Sequence, residues 1–233
     1  MLSIILPTFN EMRSGYFTSI LASLANLEDT EVFVVDGGSE DGTVEKTRQY
    51  PYSLISAPNS TRAARLNLGI DESKGDLVFL HHPRSLVETT TFGHLAKFRA
   101  ESDTYWGGLT HQFDASHPVL RFTSWYSNHV RFDQRGIVYL DHCLFFHGAF
   151  RDKGMRLPDI AIFEDTEFSL ALRQYARPER LAAIAQTSAI RFQQNGVLKQ
   201  SWLNQRLKLA RWASAEPEKM NAQYEEGLGL NKK

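Results

Sequence analysis

The sequence predicts an α/β protein with a Rossmann-like, mostly parallel sheet flanked by helices, followed by a less regular C-terminal segment. Three observations carry this. First, short continuous apolar runs recur along the first eighty residues: Ser3-Ile4-Ile5-Leu6, Val32-Phe33-Val34-Val35 and Leu77-Val78-Phe79-Leu80. Continuous rather than alternating apolarity marks strands buried on both faces, as in parallel sheets. Second, stretches with helical periodicity separate these runs, so strand and helix alternate. Third, turn-forming residues follow the runs, at Pro7, at Asp36-Gly37-Gly38 and at Pro83.

The elements follow in order. Pro7 ends the first strand. A helix is expected from about Glu11 to Leu27, with Tyr16, Ile20, Leu24 and Leu27 on one face. The second strand, Val32–Val35, runs into the Asp36 turn, and Asp41 and Thr43 open another helix. Tyr52–Ile55 is a weaker third strand. Ser60 is the expected cap of a helix reaching about Ser73, which Lys74-Gly75 ends. Leu77–Leu80 is the fourth strand. Beyond residue 85 the expectations are a helix at 89–100, a strand holding Tyr105, Trp106 and Leu109, and a helix at 119–132. Then come a strand at "CLFFHGAF", a helix at 163–175, a strand pair across 180–192 and a last helix at 196–213. The single expected domain is 1–215, with 216–233 a polar, partly frayed tail.

Bulk numbers narrow the function classes. The 233 residues hold 26 Lys and Arg against 27 Asp and Glu, a formal net charge of −1. Nothing therefore draws the whole chain toward nucleic acid, and no nucleic-acid partner is expected. The lone cysteine, Cys143, allows no internal disulfide and suits a reducing compartment. Met1 leads directly into a strand-like run, so no signal peptide is expected. No apolar run reaches the roughly 20 residues that span a bilayer. The expected location is the cytoplasm.

Parallel sheets of this kind bind ligands beyond the carboxyl ends of their strands. The residues just after each strand are therefore the candidates. "LPTFNE" offers Thr8, Asn10 and Glu11 at the first such edge, or merely a strand-to-helix turn capped by Asn10. "VVDGGSEDGT" places Asp36 before two glycines, where backbone and ligand can approach closely. Asp36 suits the N–H groups of a nucleobase or ribose hydroxyls, whereas Asp41 reads best as a helix cap. In "NSTRAARLNLG", Arg62, Arg65 and Gly69 share one helical face opposite Ala63, Leu66 and Ile70. Two guanidiniums there suit a diphosphate, or are two solvated surface arginines. "IFEDTEFSLAL" puts Glu164, Asp165 and Glu167 at a helix start. That is either favourable dipole chemistry or a general base in a pocket. Neither a G-x-G-x-x-G fingerprint nor a P-loop is present. The helix after Gly196 mixes Trp202, Leu203, Leu207, Leu209 and Trp212 with Lys199, Arg206, Lys208 and Arg211. It reads as a core-packing helix with a basic solvated face, or as a peripheral membrane contact.

Taken together, "SIILPTFNE", "VVDGGSEDGT", "RAARLNLGIDESKGD" and "FEDTEFSLALR" resemble the family 2 glycosyltransferases of the GT-A fold, across roughly residues 2–200. "RFDQRGIVYLDHCLFF" and "TSAIRFQQNGVLKQSW" resemble the later segments of a small bacterial branch of that family. The resemblance implies a nucleotide-diphosphate sugar as donor and inverting transfer to an acceptor hydroxyl on a sugar, a lipid-linked molecule or a small molecule. It makes 1–100 the nucleotide-sugar-binding half and 101–215 the acceptor half. It assigns Pro7, Thr8, Asn10, Glu11, Asp36, Gly38, Arg62, Arg65, His81 and Arg84 to the donor. Asp165 becomes the catalytic base with Glu164 beside it, and Asp141, Arg191 and Trp202 fall on the acceptor side. Lipid-linked acceptors would place the protein against the inner face of the membrane.

The resemblance also implies Mn²⁺ or Mg²⁺, held by a D-x-D-type motif after the fourth strand. This chain reads His81-His82-Pro83-Arg84 there, and Pro83 stands at the metal-binding aspartate. Three readings are open: His81 or His82 ligates an ion, Arg84 with Arg62 or Arg65 replaces it, or the site has degenerated and binds a sugar nucleotide weakly, or something else.

Overall fold

The computed structural model describes residues 1–97, 102–213 and 215–226, apart from the side chain of Trp212. One eight-stranded sheet, ordered β3-β2-β1-β4-β7-β6-β8-β5, organises them. Strand β1 (Leu2–Thr8) pairs in parallel with β2 (Thr30–Asp36) and with β4 (Leu77–Leu80), and β2 pairs in parallel with β3 (Ser53–Ser56). Strand β7 (Phe145–His147) joins antiparallel to β4 and links it to β6 (Trp106–Phe113). Strand β8 (Glu179–Thr187) runs parallel to β6. The expected mostly parallel sheet is thus present, curled by an antiparallel junction.

Two cores cover the two faces, and successive strand residues are dealt alternately between them. Leu2, Ile4, Leu6, Val32, Val34, Leu77 and Phe79 enter one core. Ile5, Val35, Val78 and Leu80 enter the other. Burial of both registers is why these strands are apolar throughout. Helix α3 (Arg62–Glu72) lies directly on β1, because Gly69 brings the backbones together. A Cβ there would stand 2.4 Å from Cγ2 of Ile5.

Several boundaries differ from expectation, each for a local reason. The helix expected over 11–27 is a 3₁₀ turn, Glu11–Ser14, and then α1, Phe17–Leu24; Gly15 at φ 71° separates them. Helix α2 is short (Thr43–Thr47). Thr61, not Ser60, caps α3 by accepting from the Ala64 N–H at 3.0 Å. Strand β5 (Ser85–Val87) was unexpected; it gains its partner only in three dimensions, antiparallel to β8. Helix α4 (Thr89–Lys97) matches expectation up to residue 97, and its expected end lies outside the described residues. The helix expected over 119–132 begins as α5 (Pro118–Trp125) and continues as a π-wound segment, Tyr126–Gln134. "CLFFHGAF" holds only the short β7 before α6 (Gly148–Asp152). The expected strand pair over 180–192 is β8 followed by a helix, α8 (Ile190–Asn195). Helix α9 spans Val197–Trp212. The expected polar tail contains a further helix, α10 (Pro217–Glu225), anchored by buried Met220 against Ile162 and Leu207.

Candidate active site

The carboxyl ends of β1, β2 and β4 meet at one edge, and the turns after β1 and β2 are stitched to each other. Gly37 N–H donates to Thr8 O, Asn10 N–H to Ser39 Oγ, Glu40 N–H to Asn10 Oδ1 and Glu11 N–H to Thr43 Oγ1. Asp36 is buried at the centre. Its carboxylate accepts from Gly38 N–H (2.9 Å), Ser39 N–H (2.8 Å), Ser39 Oγ (2.6 Å) and Thr8 Oγ1 (2.8 Å). Those four donors match the capacity of a carboxylate, so this loop is preformed by its own side chains. Pro7 sits inside β1 opposite Val35.

Helix α3 carries two arginines to this edge. Arg62 pairs with buried Glu164, the first residue of α7 (Glu164–Leu172), and so links α3 to α7. Glu164 outweighs the effect of burial and holds the Arg62 guanidinium firmly charged. Arg65 is not a surface residue; only 2% of it is exposed. It lies over Gly37, where a Cβ would stand 1.9 Å from its Nη1, and 6.0 Å from the Phe9 ring. Its Nε and Nη1 have no hydrogen-bond partner. Burial, with Arg62 close by, brings it down to about 10, so it remains cationic at neutral pH.

The β4 edge departs from the D-x-D pattern in structure as in sequence. His81 turns into the core, stacked on Phe92 and tilted against Phe79. Burial brings its imidazole down to about 4. His82 points the other way and bonds to Ser85 Oγ at 3.0 Å; burial and Arg84 hold it well below its usual value. Opposite orientation of neighbours in an extended segment is expected, so the two histidines do not share an ion. Arg84 is engaged elsewhere: its Nε and Nη2 donate to Glu11 at 2.9 and 3.1 Å. Among the described residues there is no group of three His, Cys, Asp or Glu side chains that could hold a metal. Mg²⁺ and Mn²⁺ favour oxygen donors, and this strand end offers a core imidazole, a proline and a paired guanidinium. The residues do not fit the ion.

From this edge a cavity runs beneath α7, α9 and α10. Asp165 stands in its wall, after Phe163, whose φ of 67° is a left-handed conformation uncommon for a large side chain. Asp165 Oδ2 accepts the Leu140 N–H at 3.1 Å. Burial, with Glu164 adjacent, pushes Asp165 up to about 6. Glu164 keeps one buried oxygen, Oε2, without a partner. Asp141 also lines the cavity, with Oδ2 3.6 Å from Nε2 of His111. Burial alone would raise Asp141, but His111, His142 and Arg131 hold it down to about 2. Burial lowers both histidines as well, so Arg131 is the lasting counter-charge at neutral pH.

Two acceptor-side assignments fare differently. Arg191 lines the cavity, but α10 occupies it: it bonds to Tyr224 O and Glu225 and lies 3.9 Å from the Tyr224 ring. Trp202 is 64% exposed on α9 and does not line the cavity. Sequence reasoning missed Ser127, Arg131, Tyr139 and His111, and took Lys208 for part of a solvated face. All five line the cavity. Arg131 and Ser127 are brought to it by the π-wound segment, which no local pattern announces.

No curated protein matches this chain. Solved structures do, at identities that speak for the fold. One is S. aureus TarS 1–349 in complex with UDP-GlcNAc, with a TM-score of 0.63 and 21% identity over 80% of this chain and 58% of that one. Another is the mannosyltransferase PcManGT from Pyrobaculum calidifontis in complex with GDP-Man and Mn²⁺, with a TM-score of 0.62 and 16% identity over 98% of this chain and 69% of that one. The match spans only 36% of a longer S. aureus TarS chain. The shared architecture is the GT-A glycosyltransferase fold, and no helix of the described residues is long and apolar enough to cross a membrane. The family model described as "Glycosyl transferase family 2" matches residues 3–152, well over half of the sequence, and the chain belongs to that family.

Proposed function

We propose that this protein transfers a sugar from a nucleotide-diphosphate sugar to an acceptor hydroxyl with inversion, and that Asp165 is the general base. The observation that carries the proposal is Asp165 itself. It is a buried carboxylate in a cavity wall, held by one backbone N–H and raised to about 6, close to the ideal for a base working near neutrality. The donor lies across the edge formed by Thr8, Asn10, Asp36 and Gly38. Arg62 and Arg65 face its diphosphate.

In the reaction, the acceptor oxygen attacks the anomeric carbon as Asp165 takes its proton. The new carbon–oxygen bond forms while the bond to the diphosphate breaks. The nucleoside diphosphate leaves with the bonding pair, and attack from the opposite face inverts the centre. Charge grows on the leaving oxygens, and preorganised cations there lower the barrier. Arg65 is the best placed cation, because its unpartnered Nε and Nη1 are already desolvated. Transfer then needs no divalent ion.

A second reading is a sugar-nucleotide-binding protein without turnover. It is favoured by the β4 strand end, where Pro83 takes the metal position and Arg84 is held by Glu11 instead of facing a diphosphate.

Thermal unfolding with a panel of nucleoside diphosphates and sugar nucleotides, with and without Mn²⁺ or Mg²⁺, tests the donor site. Ligands of the folded state raise the melting point. A rise is expected without metal. If no nucleotide shifts the transition, the donor assignment is wrong, and if shifts need metal, the arginine role is wrong. Sugar release or transfer that disappears in Asp165→Asn marks an enzyme; nucleotide binding with no turnover in the native protein favours the binder.

A further inference from the structure

The acceptor half of the cavity holds two cations that the transfer chemistry does not use. Arg131 is only 8% exposed. Its Nη1 donates to Ser127 Oγ at 3.0 Å, and its guanidinium lies 3.9 Å from the Tyr139 ring centre. Among the described residues it forms no ion pair. Lys208, on α9, lines the same cavity and likewise has no ion pair. The other cavity cations are already matched: Arg62 by Glu164, Arg84 by Glu11 and Arg191 by Glu225. Of the two other carboxylates in the wall, Asp165 interacts with Arg62, which leaves Asp141 to set against Arg131 and Lys208 together.

Two like charges directed into one recess repel each other, and burial adds to the cost of both. The effect is visible on Lys208, which burial and Arg131 lower to about 8. Packing accounts for Arg131, whose planar group stacks on Tyr139. It does not account for the Lys208 ammonium lining the same cavity. A dianion would relieve both, and the guanidinium fork suits phosphate oxygens. His111 adds to the case. It is 2% exposed, and neither ring nitrogen has a hydrogen-bond partner.

We propose that the acceptor carries a phosphate ester, bound between Arg131 and Lys208, which presents its hydroxyl to Asp165. This rests on the glycosyl-transfer reading and adds the chemical class of acceptor to it. The phosphate is that of a small soluble molecule or of a lipid headgroup; the recognition chemistry is the same.

The test uses the full chain saturated with whichever nucleoside diphosphate it binds. Calorimetry is run with glycerol phosphate, with glycerol, and with phosphatidylcholine vesicles containing or lacking phosphatidic acid. Glycerol phosphate or the phosphatidic acid vesicles should bind, and the first or the second result tells a soluble from a lipid source. Glycerol and plain vesicles should not. Lys208→Gln should weaken phosphate binding at least tenfold while nucleotide binding holds. Arg131→Lys, which keeps the charge but loses the fork and the stack, should weaken it less. The proposal is overturned if neither phosphate probe binds better than its neutral counterpart, or if Lys208→Gln binds it as the native protein does. Should Arg131→Lys fail to fold, Lys208→Gln decides alone. If no nucleoside diphosphate binds at all, the donor reading fails separately. The phosphate titration then proceeds without nucleotide and is judged by the same Lys208→Gln comparison.

Discussion

Arg84 closes a two-point ion pair on Glu11, with Nε 2.9 Å from Oε2 and Nη2 3.1 Å from Oε1, and both residues are buried. The pair joins the turn after β1 to the turn after β4. It also removes Arg84 from the free cations that a diphosphate could meet. Breaking a buried pair strands a charge, at a cost of about 3–5 kcal/mol. Glu11→Gln should therefore lower the melting point by on the order of 10 °C in a chain of this length. The double change Glu11→Leu with Arg84→Met should cost less than Glu11→Gln. A melting curve for each decides, and equal melting of Glu11→Gln and the native protein would show the pair to be dispensable.

Asp165 ties activity and stability to pH in opposite senses. Its folded value of about 6 lies above the ordinary 3.8. Transfer should rise roughly tenfold per unit as pH climbs toward 6 and then level off, as its ionised form fills. The folded state holds this proton more tightly than the unfolded chain does. The contribution of Asp165 to stability therefore declines as pH rises from about 4 to about 6. Asp165→Asn should lose about 10²–10⁴ of the rate yet melt higher than the native protein at pH 7.5. That advantage should vanish near pH 4. A mutant that melts lower than the native protein at pH 7.5 would contradict the burial argument.

Gly37 and Gly69 separate binding from folding. A methyl at residue 37 meets the end of the Arg65 side chain, which can swing away. Gly37→Ala should thus displace the guanidinium and weaken nucleoside diphosphate binding, with a small change in melting. A methyl at residue 69 meets Ile5, fixed in β1. Gly69→Ala should cost about 1–3 kcal/mol by overpacking. Calorimetric affinity and melting point, measured on both, should show this crossed pattern.

Helix α10 covers the cavity through Tyr224 on Arg191 and through Met220 in its own small core. Met220→Ala should destabilise the protein by about 2 kcal/mol, near the low end for a buried methionine. Tyr224→Ala should leave folding largely intact and open the cavity beside Arg191, whose bonds to Tyr224 O and Glu225 remain. Its measure is acceptor-side affinity, read with the same phosphate probes. Unchanged affinity would make Tyr224 a packing residue only.

Much of the sheet's carboxyl edge was legible in the sequence, because its determinants are local. Continuous apolarity identified β1, β2 and β4, and a carboxylate before two glycines identified the Asp36 turn. Pro83 already stood where the family resemblance puts a metal ligand. Partnership was less legible. The pattern of α3 could not tell that Arg65 lies buried against Gly37 while Arg62 reaches Glu164, a hundred residues away. The π-wound segment escaped because its first residues read as an ordinary helix. Lys208 was taken for a solvated residue since its neighbours Arg206 and Lys199 share its charge, and only the fold over α9 shows which of them turns inward.

The sequence by itself determined the sheet's inner strands and the carboxyl-edge turns, since backbone preference and apolar period act over a few residues. It also determined the absence of a carboxylate after Asp76 in the β4 segment. Only the tertiary structure decided which charges come together: Glu11 with Arg84, Arg62 with Glu164, and Arg131 and Lys208 in the lining of one cavity. The physical reason is that electrostatic partnership depends on distance and burial. Both arise when β4, α3, α7 and α9, distant in the chain, converge on one edge of the sheet.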